Sequence, residues 1–354
     1  MVFIPIRSGS AAALYRVVFK GCSVISVVTQ PVSDNSVHGR PVVNGCAVRL
    51  GRHRSGSRRW HALRRKGIGG SEIAAIVGRS PWESAYNLWY RKKGLISGAG
   101  TNQAMRWGTL LEPVIYREYA TNHLESGLRM TTGETYAHVD RPWQHANPDG
   151  LIWDHRGRLV DGLEIKTAGH ETHWGPDGTD EIPPWYRCQI TWYCDVMGLG
   201  SMALRVLIHG NDARTYRVHP TLGDRLELRN AAQKFWDSLA TDTPPPIDAH
   251  TSTYHTVRQQ HPLIDHDGVV ELDPDLTQRW WKASAARTAS MSEYNLMRNT
   301  IAVQMGTART AQCDGHPVMY RQVSNRTPDR LPYLRTASLP RTGTQGTGTQ
   351  GVAE

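Results

Sequence analysis

Hydrophobic and polar positions divide the chain into a patterned centre and two unpatterned ends. Helical periodicity predicts helices at 71–78, 81–93, 103–120, 184–197, 221–240 and 273–306, the first with Ser71 as its N-cap. β-prone pieces between turn residues lie at 128–139, 149–154, 159–167, 201–208, 213–218 and 317–323. The centre therefore combines helices and strands, as expected for an α/β protein.

Composition divides this pattern into four segments. Residues 1–57 lack sustained periodicity and are expected to form a basic, disordered extension. Residues 58–246 form the main domain, which ends in a run of three prolines. Residues 247–335 are expected to form a helical appendage with a short β-prone piece, and residues 336–354 a tail of Thr, Gly and Gln repeats.

Positive charge is concentrated at the N-terminal end of the chain. The formal net charge is +9, but residues 1–66 hold 12 Lys and Arg residues against one acidic residue, Asp34. The rest of the chain holds 29 basic and 31 acidic residues, so it is not basic as a whole. A polyanionic partner must therefore be inferred from a particular site, with the basic arm as an accessory.

Composition also excludes two classes of protein. Arg16 and Lys20 interrupt the longest apolar stretch, so neither a membrane helix nor a secretory signal is predicted, and a cytoplasmic protein is expected. The five cysteines are scattered and include no Cys-x-x-Cys pair. A disulfide framework, a structural zinc site and an iron–sulfur cluster are therefore not expected.

The strongest chemical pattern is Pro148-Asp149, followed by Glu164-Ile165-Lys166. Asp149 lies between a turn and a strand, and Glu164 and Lys166 share one face of the next strand. If the strands are neighbours, Asp149, Glu164 and the Ile165 carbonyl form a site for a divalent cation such as Mg²⁺. Lys166 then orients or activates water, or contacts a phosphate. The alternative is an ordinary turn followed by a surface ion pair.

Three further features accompany this pattern. Glu112 lies on an amphipathic helix, where an exposed structural glutamate is the alternative. Gln189 and Tyr193 are four apart on a helix and share a face, although such a tyrosine can simply belong to the core. Arg64 precedes a glycine-rich segment that leads to Ser71 at a helix start, a combination that can bind phosphate.

Together these motifs resemble the YqaJ-type viral recombinases, relatives of phage lambda exonuclease in the PD-(D/E)XK nuclease superfamily. The resemblance covers roughly residues 58–246, and the N-terminal extension has no recognised counterpart. The motifs are Trp60-His-Ala-Leu-Arg64, Gly67-Ile-Gly-Gly-Ser71, Trp107-Gly108…Glu112-Pro113, Asn147-Pro-Asp149-Gly150, Glu164-Ile-Lys166 and Gln189…Tyr193. Their shared order implies a restriction-endonuclease-like core, a central mixed sheet flanked by helices, with a C-terminal helical appendage.

The resemblance also implies roles for these residues. Carboxylates at the positions of Glu112, Asp149 and Glu164 organise Mg²⁺ or Mn²⁺ in the family, and the lysine matching Lys166 acts on the attacking water. Residues matching Arg64 and Ser71 bind the 5′-terminal phosphate of the degraded strand. The pair Gln189 and Tyr193 borders the active site.

The implied activity is metal-dependent 5′-to-3′ degradation of one strand at a double-stranded DNA end, leaving a 3′ overhang for phage-type recombination. The usual partner is a single-strand annealing protein, and a ring-shaped homo-oligomer in the host cytoplasm is a family expectation. Two alternatives stay open. One is a structure-specific or repair endonuclease of the same fold, and the other is a non-catalytic DNA-binding scaffold.

Overall fold

The computed structural model describes residues 3–6, 14–19, 22–24, 42–53, 56–98, 100, 102–323 and 331–337. It divides into two compact units, Met1–Ile264 and Asp265–Glu354. About half of the predicted extension 1–57, and nearly all of the predicted tail 336–354, lie outside the described residues.

The described part of the first unit contains thirteen strands and seven helices. The strands are β1 (Phe3–Ile6), β2 (Leu14–Phe19), β3 (Cys22–Val24), β4 (Val42–Val43), β5 (Ala47–Gly51), β6 (Ile68–Gly69), β7 (Arg129–Thr132), β8 (Thr135–His138), β9 (Gln144–Ala146), β10 (Gly150–Trp153), β11 (Leu159–Ala168), β12 (Met202–Ile208) and β13 (Asp212–Val218). The helices are α1 (Arg58–Arg65), α2 (Gly70–Ile76), α3 (Ala85–Lys92), α4 (Gln103–Asn122), α5 (Pro184–Met197), α6 (Leu222–Ala240) and α7 (Thr251–Gln260).

Five strands form a mixed central sheet in the order β13–β12–β11–β10–β7. Strands β11 and β12 are parallel, and the other neighbours are antiparallel. Helix α4 packs on one face, where Ile115 shares a buried cluster with Leu163. Helix α5 packs on the other face, where Trp192 shares a second cluster with Leu204. The predicted α/β core, with a central mixed sheet between helices, is confirmed.

A second five-stranded sheet has the order β4–β5–β8–β9–β6. Strands β4 and β5 form a hairpin around Asn44 and Gly45, whose φ angles are 49° and 70°. Strand β5 then pairs with β8, and Ala47 and Val48 are buried. The prediction of a disordered extension is therefore wrong for residues 42–51, which belong to the folded core.

The first unit also continues beyond the predicted domain end at residue 246. Helix α7 packs against α3 through buried hydroxyl groups. The oxygens Ser84 Oγ and Thr253 Oγ1 lie 2.7 Å apart, and Asn87 Nδ2 donates to Thr256 Oγ1 at 2.6 Å. Because these contacts satisfy polar groups on both helices, α7 belongs to the first unit and not to the appendage.

Two predicted helix starts are corrected by the structure. Helix α2 begins one residue before Ser71, with Gly69 as its N-cap. Helix α3 begins at Ala85 and not at Pro81, because the Ser84 side chain accepts a backbone N–H of the first turn.

The second unit contains helix α8 (Pro274–Met305) and an antiparallel sheet of β14 (Thr310–Cys313), β15 (His316–Val323) and β16 (Pro332–Thr336). The long helix predicted at 273–306 and the strand predicted at 317–323 are therefore confirmed. Along α8 the described side chains are exposed or half-buried except Met305. None of the helices in the described ranges has the length and apolarity needed to cross a membrane.

Candidate active site

The candidate site lies where the β10–β11 hairpin opens. Asp149 directly precedes β10, and its backbone N–H donates to the Leu163 carbonyl on β11 at 3.0 Å. Its side-chain Oδ2 accepts the backbone N–H of Ile165 at 2.7 Å. Because the N–H and C=O of one strand residue point to the same side, the Ile165 carbonyl also points toward Asp149.

Glu164 lies beside this aspartate on β11 and is only 3% exposed. Its Oε1 accepts hydrogen bonds from Lys166 Nζ at 2.5 Å and from Gln189 Nε2 at 2.6 Å. Its Oε2 is buried and has no hydrogen-bond partner among the described residues. The Glu-x-Lys spacing on one strand face thus brings a carboxylate and an ammonium into direct contact.

Helix α5 supplies the side chains that cover this ion pair. Gln189 and Tyr193 are both buried, and Gln189 Nε2 donates to the Tyr193 hydroxyl at 3.0 Å. The Tyr186 ring centre lies 5.0 Å from Lys166 Nζ, which is a cation–π distance. Sequence reasoning missed Tyr186, although its three-residue spacing from Gln189 places both on one helix face.

Burial and repulsion disfavour the charged forms of the two carboxylates. Burial raises the pKa of Asp149, and the charge of Glu164 raises it further against the opposing effect of Lys166. Burial also raises the pKa of Glu164, although Lys166 lowers it. Burial alone would lower the pKa of Lys166, but its carboxylate neighbours raise it above the usual value. This pair of carboxylates can therefore accept further positive charge.

The donor set suits a hard divalent cation. Within the described ranges, no three His, Cys, Asp or Glu side chains form a ready-made metal group. The hairpin instead offers the carboxylates of Asp149 and Glu164 together with the Ile165 carbonyl, all of them oxygen donors. The unpartnered Oε2 of Glu164 fits such a cation, because an acceptor buried without a partner is unfavourable on its own.

Glu112 lies on α4 in a groove beside Asp149. The groove has a volume of about 620 Å³. It is lined by Arg52, His53, Glu112, Pro113, Tyr116, Arg117, Thr132, Gly133, Glu134, Thr135, Asn147, Pro148 and Asp149. Desolvation raises the pKa of Glu112, and the charge of Lys166 lowers it. The structure therefore places Glu112 in the groove with Asp149 but leaves it exposed to solvent.

A smaller pocket of about 160 Å³ adjoins the groove, and Thr135 and Asn147 line both. Arg64 and Ser71 lie in this pocket, where the guanidinium donates to Ser71 Oγ at 3.3 Å. The guanidinium carbon lies 4.7 Å from the centre of the Trp60 ring. The structure thus brings Arg64 and Ser71 together, next to the carboxylates.

A buried glutamate, Glu72, holds Arg64 in this pocket. Its Oε1 accepts from Arg64 at 2.7 Å and from Arg91 at 3.3 Å. Its Oε2 accepts from Lys92 Nζ at 2.7 Å and from the Gly69 N–H at 2.9 Å. Burial alone would raise the pKa of Glu72, but these three cations lower it far below its usual value.

Sequence reasoning did not single out this network. Glu72 accepts from the Gly69 N–H, which is one half of a capping box, but glycine has no side chain for the other half and so gives only a partial local signal. Glu72 and Lys92 are twenty residues apart and lie on two different helices. No periodicity in the sequence predicts a contact between them.

Tyr193 connects the pocket to the carboxylates. Its hydroxyl accepts from Gln189, which in turn donates to Glu164. Its ring packs against Gly70, where an added Cβ would lie 2.3 Å from Tyr193 Cε1. Because only glycine fits there, α2 approaches α5 closely enough for the pocket and the carboxylates to share one wall.

The fold and the site define the class of protein. A mixed sheet is flanked by helices, an aspartate precedes one strand, and the next strand carries a Glu-x-Lys triplet. This arrangement is that of a PD-(D/E)XK-like core, the fold class that the sequence predicts.

Comparison with known proteins shows which family the central part of the chain resembles. Residues 59–199 match the model of the YqaJ-like viral recombinase domain. The predicted family resemblance is confirmed for this part of the chain.

Curated relatives and solved structures are similar to this chain over different lengths. The uncharacterized protein YqaJ of Bacillus subtilis (strain 168) is 24% identical over 259 residues, which cover 71% of this chain and 74% of that one. A protein of African swine fever virus (strain Badajoz 1971 Vero-adapted) is 31% identical over 129 residues, which span 35% of each protein. The alkaline exonuclease LHK-Exo of Laribacter hongkongensis is 19% identical with a TM-score of 0.43, covering 59% of this chain and all of that one.

Proposed function

We propose that this chain is a divalent-metal-dependent DNA exonuclease that degrades one strand of linear duplex DNA from its 5′ end. The observation that carries the proposal is the shared wall between the Arg64–Ser71 pocket and the Asp149–Glu164 carboxylates. A terminal phosphate in the pocket would set the distance from the DNA end to the bond that is cut.

The proposed metal ligands are Asp149, Glu164 and the Ile165 carbonyl, with Glu112 as a further carboxylate in the groove. A bound Mg²⁺ or Mn²⁺ supplies positive charge to the scissile phosphate and lowers the pKa of water. Asp149 and Glu164 would bind the cation through their carboxylates. Burial disfavours the charged forms of these two groups, and a cation would offset that effect.

Lys166 is proposed to act as a charged hydrogen-bond donor. Its raised pKa favours the ammonium form, which suits orientation of water or contact with the phosphate better than abstraction of a proton. Its contact with Glu164 and the ring of Tyr186 limit the orientations of the ammonium. Gln189 supports this geometry by donating to the same oxygen of Glu164.

The pocket is proposed to bind the 5′-terminal phosphate. A terminal phosphate monoester carries close to two negative charges, more than an internal diester, and so attracts a guanidinium more strongly. Arg64 is held for this role by Glu72 and by the Trp60 ring. The hydroxyl of Ser71 adds a neutral donor at 3.3 Å from the same guanidinium.

The product of this reaction is a duplex with a 3′ single-stranded overhang. We propose that it is used in phage-type recombination, with a single-strand annealing protein as the partner in the host cytoplasm. A ring-shaped homo-oligomer also stays a prediction, which rests on the family resemblance.

The experiment compares the full chain on linear duplex with 5′-phosphate ends, on the same duplex with 5′-hydroxyl ends and on closed circular DNA, each with Mg²⁺. We expect faster degradation of phosphorylated ends by the wild type and no cutting of the circle. Arg64→Ala should reduce the preference for phosphorylated ends by about tenfold, the effect of one lost charge-assisted hydrogen bond. Arg59→Ala, an exposed arginine on the same helix, is the matched control.

Cutting of the circle would favour the endonuclease alternative. Equal rates on the two linear substrates would show that the pocket does not bind a terminal phosphate. Tight binding of DNA without any cleavage would favour the scaffold.

A further inference from the structure

The groove beside Asp149 carries positive charge as well as carboxylates. Glu112 and Asp149 line it together with Arg52 and Arg117. The other acidic residue of the groove, Glu134, already forms a two-pronged ion pair with Arg49, at 2.5 and 2.6 Å. The remaining carboxylates are therefore those proposed to bind metal, while two arginines stay available to an anion.

Arg52 is held in place by uncharged partners. Its guanidinium donates to the hydroxyl of Thr132 and, at 3.5 Å, to the carbonyl of Gly133. Because neither partner is charged, these contacts fix the guanidinium without neutralising it.

The turn that anchors Arg52 is bonded directly to the candidate site. The backbone N–H of Gly133 donates to the Asp149 carbonyl at 3.0 Å. An added Cβ at Gly133 would lie 1.7 Å from the Pro148 carbonyl oxygen, so the two segments touch without room for a side chain. The segment that the Arg52 guanidinium contacts is therefore joined to the Asp149 segment by direct backbone contacts.

The position of Arg52 in the sequence distinguishes it from the other site residues. It follows β5 directly and precedes residues 59–199, the part that matches the family model. Arg117 faces the groove from α4, one helical turn after Pro113. Of the two arginines in the groove, Arg117 lies within the matched residues 59–199, and Arg52 lies before them, directly after β5.

We propose that Arg52 and Arg117 bind internal phosphates of the DNA backbone in this groove. The proposal rests on the proposed nuclease function, because it assigns the groove to the same substrate whose end occupies the neighbouring pocket. The groove and the pocket are neighbours that share Thr135 and Asn147 in their linings, so one DNA molecule can span both. An extended phosphodiester backbone is the anion class that suits separate arginines along an open groove better than a small compact ligand.

The test measures binding of a fluorescent duplex by the full chain in EDTA, where cleavage does not interfere, over a range of NaCl concentrations. Arg52→Gln should weaken binding about tenfold and reduce the slope of log K against log [NaCl] by about 0.9, the value for one phosphate contact. Arg117→Gln should act in the same direction. Arg52→Lys should keep most of the slope, because it keeps the charge.

The matched control is Arg279→Gln, which removes an exposed arginine from α8 in the second unit and should leave the slope unchanged. Since Arg52 is exposed, a thermal melt should confirm that Arg52→Gln folds like the wild type. An unchanged slope in Arg52→Gln and Arg117→Gln would overturn the inference.

The same samples separate this inference from the proposed function. Suppose that the wild type does not cleave DNA with Mg²⁺, but that DNA binding by Arg52→Gln depends less on salt than binding by the wild type. The nuclease proposal then fails, and the proposal of DNA binding in the groove survives. If the wild type cleaves and the two arginine variants bind like the control, only the groove assignment fails. The preference for 5′-phosphate ends should persist in Arg52→Gln, since Arg64 is intact.

Discussion

Two buried glutamates in the same domain, Glu72 and Glu164, have opposite surroundings. They are 1% and 3% exposed. Both oxygens of Glu72 are satisfied, by three cationic side chains and one backbone N–H. Glu164 uses one oxygen, and within the described ranges the other has no partner. The pKa of Glu72 is lowered, whereas that of Glu164 is raised.

The difference separates a carboxylate that builds the fold from one that is available for chemistry. Glu72 gains enough hydrogen bonds and opposite charge to offset the loss of water, so its charge stabilises the helix contacts around it. Glu164 lies next to the carboxylate of Asp149, and its Oε2 has no hydrogen-bond partner among the described residues. A further positive group would stabilise this arrangement. Burial alone would not distinguish the two residues.

The largest expected effect is loss of activity in Glu164→Gln. The variant keeps a similar shape but removes the charge at the proposed metal site, so single-turnover cleavage should fall by about 10²–10³-fold or more. The melting temperature at pH 8 should fall less than in Glu72→Gln, because burial disfavours the charge of Glu164 and Asp149 still offsets the charge of Lys166. The control is Glu171→Gln, whose side chain is 71% exposed. Near-wild-type cleavage by Glu164→Gln would remove this residue from the site.

The next effect is a loss of stability in Glu72→Gln. Arg64 and the buried Lys92 would lose their counter-charge, which should destabilise the fold by about 3–5 kcal/mol. Urea denaturation measures this change. Glu227→Gln breaks an exposed pair with Arg79 and should cost no more than about 1 kcal/mol. Equal losses in the two variants would contradict the structural role of Glu72.

The smallest effect concerns acid stability, where the two glutamates should act in opposite directions. Folding lowers the pKa of Glu72 below 4.5, so its contribution is complete above about pH 4.5 and is lost as the pH falls further. Folding raises the pKa of Glu164, so protonation favours the folded form as the pH falls. Glu72→Gln should therefore flatten the decline in acid, and Glu164→Gln should not.

Melting temperatures measured from pH 7 to about pH 3 in EDTA test this difference. Both variants should keep a decline between about pH 6.5 and pH 4, because burial lowers the pKa of His145 to about 4. If both variants flatten the curve equally, the opposite pKa shifts are not the source of the effect.

The sequence carried enough information for the centre of the fold. The helix predicted at 184–197 has the same bounds as α5, and the strand predicted at 159–167 ends one residue before β11 does. Asp149, Glu164 and Lys166 could be placed together because a short hairpin and a two-residue spacing determine their relation. Local geometry was sufficient there.

Other features of the fold and of the candidate site could not be predicted, because they depend on contacts between segments that are distant in the sequence. Glu112 was assigned by motif, but its distance from Asp149 depends on how α4 packs, and the structure leaves it exposed in the groove. The Glu72–Lys92 contact is of the same kind. The hairpin around Asn44-Gly45 did have a local signal, an Asn-Gly turn between hydrophobic pairs, but the basic composition of the arm obscured it.

Strand β5 has a consequence for how this domain can be exchanged between proteins. A segment with the limits of the family match, residues 59–199, would lack the strand that pairs with β8 and would expose the edge of β8 beside Tyr136. An open strand edge invites pairing with other chains, so such a transplant should aggregate before its chemistry can be measured. It would also leave Thr132 and Gly133 without the arginine that they orient. The unit that can be inherited or exchanged intact therefore begins before residue 47.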